Sequence, residues 1–413
     1  MTSDSSSSNG QDSNPNDQTQ STKPGTFYQF LGAHSLLIGI FPFYIPVWLW
    51  RNDFSLAAIC LFVAISGLTF SLCLIAWELL AKKHHATRLF AISFALEVLL
   101  VAVAACASLF PDSLLLISLA VINGAYNCFF WTTQRCLFID RATPTTSGRQ
   151  YGNLQIVVTI ALKVGILAGG LLLEHQGMLA VLGVSACLSL ASSLWFFRQP
   201  APQLLSAEFN PTTRHEILNC NDQHRSGYIF LIDGLFLFLE SHFWTLSLFI
   251  LSRENFTRFG LTVIALAIGF AVLFYLAKNT VDRFTGENLF RWAVVLYAIG
   301  WAIRPLLDMQ HSDSAGSEQM DTPYLAVMLI IITFCTSFFR LVFNKRFFDI
   351  AAASTGKRYL LVKSYVTQLA VFGMFSAMAI AAAFINNPMA SLNGFYLVAA
   401  LTSLLYLTYR QRL

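Results

Sequence analysis

The sequence predicts an all-α integral membrane protein of twelve transmembrane helices, arranged as two six-helix bundles related by a pseudo-twofold axis. Of the 413 residues, 56% are hydrophobic and only 12% are charged, which is more apolar surface than one soluble core could bury. About twelve apolar stretches have the roughly 20 residues that a helix needs to cross the hydrocarbon layer. The chain also contains an internal repeat, which indicates a duplicated unit.

The repeat consists of two stretches with the same residues at the same spacing. The residues of the first stretch recur 209 positions later in the chain; Asp140, for example, corresponds to Asp349. The matched residues are Phe129-Phe130, Asp140, Ala142, Thr146 and Arg149, against Phe338-Phe339, Asp349, Ala351, Thr355 and Arg358. A second, shorter match has an offset of 202, between Arg51-Asn52-Asp53-Phe54-Ser55 and Arg253-Glu254-Asn255-Phe256-Thr257. The two halves of the chain are therefore predicted to be copies of one membrane unit.

The predicted spans follow from apolar runs separated by polar breaks. In the first half they cover residues 28–50, 54–81, 87–110, 112–137, 151–174 and 177–198. In the second half they cover residues 227–252, 258–278, 288–308, 323–348, 358–385 and 390–409. Pro42 and Pro46 predict a kink in the first helix. Gly165, Gly169 and Gly170 predict close helix packing by the fifth.

Four segments are predicted. Residues 1–26 are rich in Ser, Asn, Gln and Asp, lack the basic start and apolar run of a secretory signal, and are interpreted as a disordered cytoplasmic tail. Residues 27–198 form the N-terminal six-helix bundle. Residues 199–226, which include three prolines, form a cytoplasmic linker. Residues 227–413 form the C-terminal six-helix bundle.

The distribution of Lys and Arg predicts the orientation. Most of them fall in loops on the side of the N-terminus, whereas the opposite side has little more than Arg51, Arg253 and Arg258. Both termini are therefore predicted to be cytoplasmic, in a multi-pass protein. The net charge of +4 reflects this sidedness, so no nucleic-acid partner is predicted.

Cysteine positions predict neither disulfides nor a metal site. Seven of the cysteines fall in or at the ends of spans, and Cys220 falls in the linker, so none lies in an outer loop. Their spacing matches no metal site, and no glycine loop for a nucleotide is present. No cofactor and no metal are therefore expected.

The end of the fourth predicted helix and the start of the fifth carry a recognisable pattern. Phe129-Phe130-Trp131, followed by the run from Ser147 to Ile156, resembles the junction of these helices in bacterial members of the major facilitator superfamily. The six-plus-six layout, the inside termini and the long central loop are similar to that family as well. The family's loop signature is not recognisable between Glu78 and Arg88, but survives partly as Asp282-Arg283.

The resemblance implies a secondary transporter that works by alternating access in the bacterial inner (plasma) membrane. It also implies a monomer.

Ionisable residues within the spans are the candidate functional residues, because each costs at least roughly 2.5–3.5 kcal/mol near the bilayer centre. The deepest are Glu97, Lys163, Asp233 and Glu240. Closer to the helix ends lie Arg135, Arg304, Arg340, Lys345 and Lys363. Glu97 and Arg304 are expected to form structural pairs. Most of the basic cluster at the ends of helices ten and eleven, Arg340, Lys345 and Lys363, is expected to snorkel toward the membrane surface.

Proton coupling is predicted at Glu240, Asp233, His242 and His34. Asp233 and Glu240 are seven residues apart, so both carboxylates lie on one helix face, which should not point at lipid. A buried acid can bind and release a proton as access alternates. The alternative for Glu240 is a fixed salt bridge to a basic residue of the opposite half. The alternative for Asp233 is a solvated or helix-capping role. The alternative for each His is a packing role.

Substrate contact is predicted for seven polar residues: Lys163, Arg135, Arg340, Asn123, Tyr126, Asn127 and Gln155. Alternatively, Arg135 caps its helix and pairs with Asp140. The alternative for Lys163 is an ion pair with an acid of the second half. Gating or structural roles are predicted for the repeated pairs and the loop signature: Asp140, Arg149, Asp349, Arg358, Asp282 and Arg283.

The predicted function is proton-coupled transport of a small polar solute. Because the intramembrane charges lean basic, an anionic or zwitterionic solute such as a carboxylate or siderophore is favoured. A multidrug or lipophile exporter and a non-transporting membrane sensor are the alternatives. An enzyme is not expected, because the sequence contains no His-rich cluster and no Ser or Cys motif. The predicted partners are the solute, protons and the lipid bilayer.

Overall fold

The computed structural model describes residues 24–139, 147–198, 212–218, 222–266, 287–313, 322–385 and 387–410. Helices make up nearly all of this part, which contains no strand. Eleven helices within it are long and apolar enough to cross a membrane, and a shorter apolar helix, Phe256–Leu266, lies where the eighth span is predicted. The predicted all-α membrane fold is confirmed.

The first half contains six membrane helices. Helix α1 consists of Pro24–Ile40 and Ile45–Arg51, joined by a 3-10 turn at Pro42–Tyr44. It is followed by α2 (Leu56–Ala81), α3 (Ala86–Ala105), α4 (Asp112–Ile139), α5 (Ser147–His175) and α6 (Met178–Arg198). The kink in α1 lies at the predicted prolines, since Pro42 opens the 3-10 turn and Pro46 lies in the first turn of the next segment.

The second half begins after a short helix, Arg214–Leu218, in the predicted linker. Helix α7 consists of Ser226–Phe238, a π-helical turn at Leu239–Phe243, and Trp244–Leu251. The remaining helices are α8 (Phe256–Leu266), α9 (Glu287–Asp313), α10 (Thr322–Ala353), α11 (Lys357–Phe384) and α12 (Pro388–Ser403, ending in a 3-10 turn at Leu404–Thr408).

The packing of helices repeats between the halves. The pairs α1–α5, α3–α6 and α3–α4 of the first half correspond to α7–α11, α9–α12 and α9–α10 of the second. Between the halves, α2 packs against α11 along an extensive contact. We call the end of the molecule that carries Arg214–Leu218 the linker end, and the opposite end the distal end.

Glycines allow α1 and α5 to approach closely. A Cβ added at Gly165 would lie 2.1 Å from the carbonyl oxygen of Leu36, and one at Gly39 would lie 2.4 Å from that of Leu162. Such distances exclude any side chain larger than hydrogen, so the predicted packing role of Gly165 agrees with its surroundings.

The predicted segment boundaries differ slightly from the helices. Helix α1 starts at Pro24, inside the predicted tail, because proline is well suited to the first helical turn. The domain division at 199–226 remains a prediction. Its described part is anchored, since Asp222 accepts hydrogen bonds from the Ser226 amide at 2.8 Å and the Ser226 hydroxyl at 2.7 Å. Residues 1–23 lie outside the described residues.

The linker contacts both halves. Glu78, at the end of α2, accepts hydrogen bonds from the Thr212 amide at 3.1 Å and the Thr212 hydroxyl at 2.8 Å. Glu216 forms an ion pair with Arg358 at the start of α11. The hydrogen-bonded Arg358 guanidinium lowers the pKa of Glu216 to about 2. The linker therefore joins α2 of one half to α11 of the other.

Candidate functional site

Four charged side chains meet in the C-terminal half, and we call them the charged network: Asp233, Glu240, Arg340 and Lys363. Nη1 of Arg340 lies 2.9 Å from Oδ1 of Asp233, and its Nε lies 3.0 Å from Oε2 of Glu240. Nζ of Lys363 lies 2.7 Å from Oδ2 of Asp233. The guanidinium on α10 therefore bridges two acids of α7, and the Lys363 ammonium joins α11 to one of them.

Two buried tyrosines complete the hydrogen bonding of the acids. Tyr406 of α12 donates to Oδ1 of Asp233 at 2.9 Å, and Tyr297 of α9 donates to Oε1 of Glu240. Every carboxylate oxygen of the network therefore has a donor. Charge-assisted hydrogen bonds of this kind are stronger than those between neutral groups.

The network is closed around Asp233 and more open around Glu240. The side chain of Asp233 is 8% exposed, whereas those of Arg340 and Glu240 are 18% exposed. Glu240 also lies within the π-helical turn of α7. Single π turns are frequent at functional sites, because they change the register of a helix locally. Glu240 and Arg340 are therefore the members most accessible to a ligand.

Three expectations about these residues are wrong. Asp233 is not solvated, because it is buried and three other helices, α10, α11 and α12, supply its donors. The base that pairs with Glu240 belongs to the same half, not to the opposite one. Lys363 does not snorkel to the helix end, because Asp233 offers it a partner inside the bundle.

Arg304 is buried beside the network without a carboxylate partner among the described residues. Its guanidinium stacks on Trp301 at 3.4 Å and lies 4.8 Å from the ring of Trp244. Its Nη2 donates to the Thr336 hydroxyl at 3.2 Å. The expected ion pair is thus replaced by cation–π contacts, which are strong where water is excluded.

The N-terminal half holds a polar cluster without charge: His34, Asn123, Tyr126, Asn127 and Trp131. The Tyr126 hydroxyl lies 3.3 Å from Nε2 of His34, and Trp131 donates to Oδ1 of Asn127 at 3.0 Å. Asn127 donates to the Asn123 carbonyl at 2.8 Å. Asn127 and Trp131 are half-buried, while the other three are buried. The structure therefore brings four predicted residues together in one cluster.

Comparison with known families decides the identity of the fold. The model of the Major Facilitator Superfamily matches residues 30–351. The chain belongs to the major facilitator superfamily. No curated protein matches it by sequence.

Solved transporters of the superfamily share this fold. The nucleoside transporter NupG has a TM-score of 0.63 at 13% identity, over 93% of this chain and 96% of NupG. The superfamily transporter FucP in the outward conformation has a TM-score of 0.58 at 12% identity, over 94% and 97% of the chains. A bacterial homologue of the iron transporter ferroportin, in its outward-facing state, has a TM-score of 0.59 at 14% identity, over 94% and 99%.

Membership of the superfamily indicates a multi-pass transporter of a small molecule, not an enzyme. Among the residues that the structure describes, no group of His, Cys, Asp and Glu could hold a metal ion.

Two further basic residues of the first half were predicted to contact the substrate. Arg135, half-buried on α4, lies within electrostatic range of Lys363 in the other half, where the two like charges repel each other. Lys163 is half-buried on α5 and pairs with no carboxylate in the described part of the chain. The predicted pairing of Arg135 with Asp140 lies outside the described residues.

The remaining predicted residues lie elsewhere. His242 is hydrogen-bonded to the neighbouring Ser241 at 2.8 Å and is not part of the network. Asp349 pairs with Lys345 at 3.0 Å, one turn away on α10, and Arg358 pairs with Glu216. Asp140, Asp282 and Arg283 lie outside the described residues, as do the side chains of Arg149 and Gln155.

Sequence reasoning missed both tyrosines of the site and the role of Lys363. An intramembrane lysine is itself a signal for a buried partner. Tyr297 and Tyr406 gave no such signal, because buried tyrosines are common in membrane helices.

Proposed function

We propose that this superfamily member is a proton-coupled secondary transporter of a small anionic or zwitterionic solute, such as a carboxylate, by alternating access between its halves. The observation that carries the proposal is the bridging of Asp233 and Glu240 by Arg340 in the middle of the bundle. A buried charge network is expensive in a membrane unless it has a function. The proposal places a monomer in the bacterial inner membrane, with the linker end in the cytoplasm.

The balance of charge supports an anionic solute. The cations Arg340, Lys363 and Arg135 outnumber the acids Asp233 and Glu240 around the centre. A guanidinium can bind a carboxylate with two parallel hydrogen bonds, and Arg340 is the more accessible base of the charged network. The solute carboxylate would therefore compete with Glu240 for Arg340.

This competition gives a physical basis for proton coupling. In this conformation Glu240 accepts hydrogen bonds from Arg340 and Tyr297. A solute that takes over the guanidinium leaves Glu240 without its cation, and an acid in apolar surroundings then binds a proton. Release of the solute restores the pair and releases the proton. Solute and proton would thus travel together.

The test begins with the solute. Thermal-shift measurements against organic anions, amino acids, siderophores and cationic dyes should reveal binders, because a ligand stabilises the folded state. Stabilisation by cationic or lipophilic dyes alone would favour the exporter and contradict the proposal.

Uptake of the labelled binder into proteoliposomes then tests the coupling. A pH gradient should drive accumulation by the wild type. Glu240→Gln should abolish this accumulation while keeping exchange of internal for external solute, since Gln cannot release a proton. Glu174→Gln, an exposed position on α5, is the control and should behave as the wild type. Gradient-driven accumulation by Glu240→Gln would refute the coupling role.

A further inference from the structure

A second acid lies in the N-terminal half, away from the charged network. Glu97 is 0% exposed in the middle of α3, eleven residues from its first residue, Ala86. Neither carboxylate oxygen has a hydrogen-bond partner within the described part of the chain. Glu97 is thus a buried acid that lacks the donors found around Asp233 and Glu240.

The helices around Glu97 bring no cation to it. On α6 the Ser189 hydroxyl lies near the Glu97 carboxyl without a hydrogen bond to it, and the charged residue of that helix, Arg198, is its last residue. The single charged residue of α2, Glu78, is bound to Thr212 at the linker end. The surroundings of Glu97 on these two helices are therefore neutral.

Helices α1, α3 and α4 contribute the remaining titratable groups. His34 of α1 and Tyr126 of α4 are hydrogen-bonded to each other, and Tyr126 lies within electrostatic range of Glu97. Arg88 of α3 is nine residues from Glu97, about 13 Å along the helix, and contacts His84. Arg135 lies near the last residue of α4, at the linker end, and is within electrostatic range of Lys363. None of these cations pairs with Glu97.

An ionised carboxylate in such a place would be far less stable than a protonated one. Burial removes the hydration of the charge, and neither a counter-ion nor a set of donors replaces it. A protonated carboxyl is neutral, and its hydroxyl can donate to a serine oxygen such as that of Ser189.

We propose that Glu97 is a proton-binding site of the N-terminal half, protonated at neutral pH in this conformation. Tyr126, which is hydrogen-bonded to His34, lies within electrostatic range of Glu97, and the ring of His34 contacts that of the half-buried Trp131 with centroids 6.2 Å apart. The protein thus holds a proton on one half and an ionised network on the other. This assignment does not depend on the transport proposal.

Infrared spectroscopy of the full chain in an alkyl maltoside detergent, which has no carbonyl group of its own, tests the protonation directly. The wild type should show the carbonyl stretching band of a protonated carboxyl at pH 7, where a carboxyl in water is ionised. Glu97→Gln should lack this band, and Glu240→Gln should retain it. Absence of the band in the wild type, or its persistence in Glu97→Gln, would overturn the proposal.

Thermal unfolding at pH 7 gives a second measurement. Glu97→Met replaces a neutral acid by an apolar side chain of similar size, so the unfolding temperature should stay the same or rise. Lys363→Met is the matched comparison, because it strands the paired carboxylate of Asp233 and should lower that temperature. A fall in Glu97→Met as large as in Lys363→Met would show an ionised, paired Glu97 and refute the assignment.

Discussion

Arg340 determines the state of the charged network, because its guanidinium serves two acids at once. Removing one partner of a buried ion pair costs about 3–5 kcal/mol, since the remaining charge is left uncompensated. Arg340→Gln should therefore lower the unfolding temperature clearly and abolish solute binding. Arg340→Lys should rescue only part of the loss, because an ammonium cannot form the same fork.

The unfolding temperature without solute measures the loss of stability. The increase of that temperature on addition of solute measures binding. The control is Arg258→Gln, which removes the same charge from an exposed position on α8. It should change neither quantity. Equal behaviour of Arg340→Gln and Arg258→Gln would mean that the network contributes nothing to stability.

The sequence indicated part of this site. The spacing of Asp233 and Glu240 placed both acids on one face, and the structure directs both to Arg340. Their partners could not be derived in the same way. Lys363 and Tyr406 are more than 100 positions away in the chain, and only the packing of α11 and α12 against α7 brings them together. Local periodicity contains no information on such contacts.

At the scale of helices, the close contact between α1 and α5 is the most sensitive to a small change. A methyl group at Gly165 would meet the Leu36 carbonyl at 2.1 Å, so Gly165→Ala must push the two helices apart. Overpacking of this kind typically costs about 1–3 kcal/mol. The unfolding temperature should fall accordingly.

Gly183→Ala on α6 is the matched control, because nothing lies within 4 Å of the added methyl group. It should be neutral or slightly stabilising, since alanine favours helix more than glycine does. A fall in unfolding temperature common to both variants would contradict the packing argument.

Helix bounds were predicted to within a few residues, except where charges are satisfied inside the protein. The tenth span was predicted to end at residue 348, but α10 continues to Ala353. Asp349, the first residue beyond the predicted end, pairs with Lys345 one turn earlier at 3.0 Å, so its charge does not end the helix. The π turn of α7 was not predicted, because hydropathy depends on composition and not on the register of hydrogen bonds.

The linker helix should respond to acid. The pKa of Glu216 is about 2 in the folded protein, below the roughly 4.3 of a free glutamate. The ion pair with Arg358 therefore contributes its full stabilisation of the folded linker above about pH 4.3. This stabilisation is lost as the pH falls through about 2. A spin label at the exposed Arg214 should be immobile at pH 5 and gain mobility near pH 2.

The variant Arg358→Gln provides the comparison for the linker measurement. Its label should be mobile at both pH values, because the pair is already absent. A label that is equally immobile in this variant would show that the contact of Thr212 with Glu78 alone holds the linker.

At the scale of the molecule, contacts join the two halves at both ends. At the linker end, Phe138 packs against Phe348 with ring centroids 4.5 Å apart. At the distal end, Phe43 of α1 stacks on Phe259 of α8 at 5.9 Å. A hydrogen bond of 3.1 Å from Trp50 to Glu254 lies beside a cavity of about 800 Å³. Alternating access requires one set of contacts to break while the other holds.

The distal aromatic contacts should determine how often the distal end opens. Phe259 is fully buried and contacts Phe43 and Tyr44 of the first half, so Phe259→Ala removes contacts that exist only while the halves are together. The equilibrium should shift toward distal opening, because the open state has none of these contacts between the halves to lose. Leu261→Ala, on an exposed face of α8, is the control.

Distance measurements by electron paramagnetic resonance test this shift. The spin labels are placed at two exposed positions, Asp112 in the first half and Ala390 in the second. The exposed Cys106 and Cys187 are first replaced, so that they do not take up label. Phe259→Ala should add a population at longer distance, and Leu261→Ala should match the wild type. If Phe259→Ala left the distances unchanged, the aromatic contact would be packing within a rigid unit. The opening would then have to depend on the α2–α11 contact, which extends along both helices.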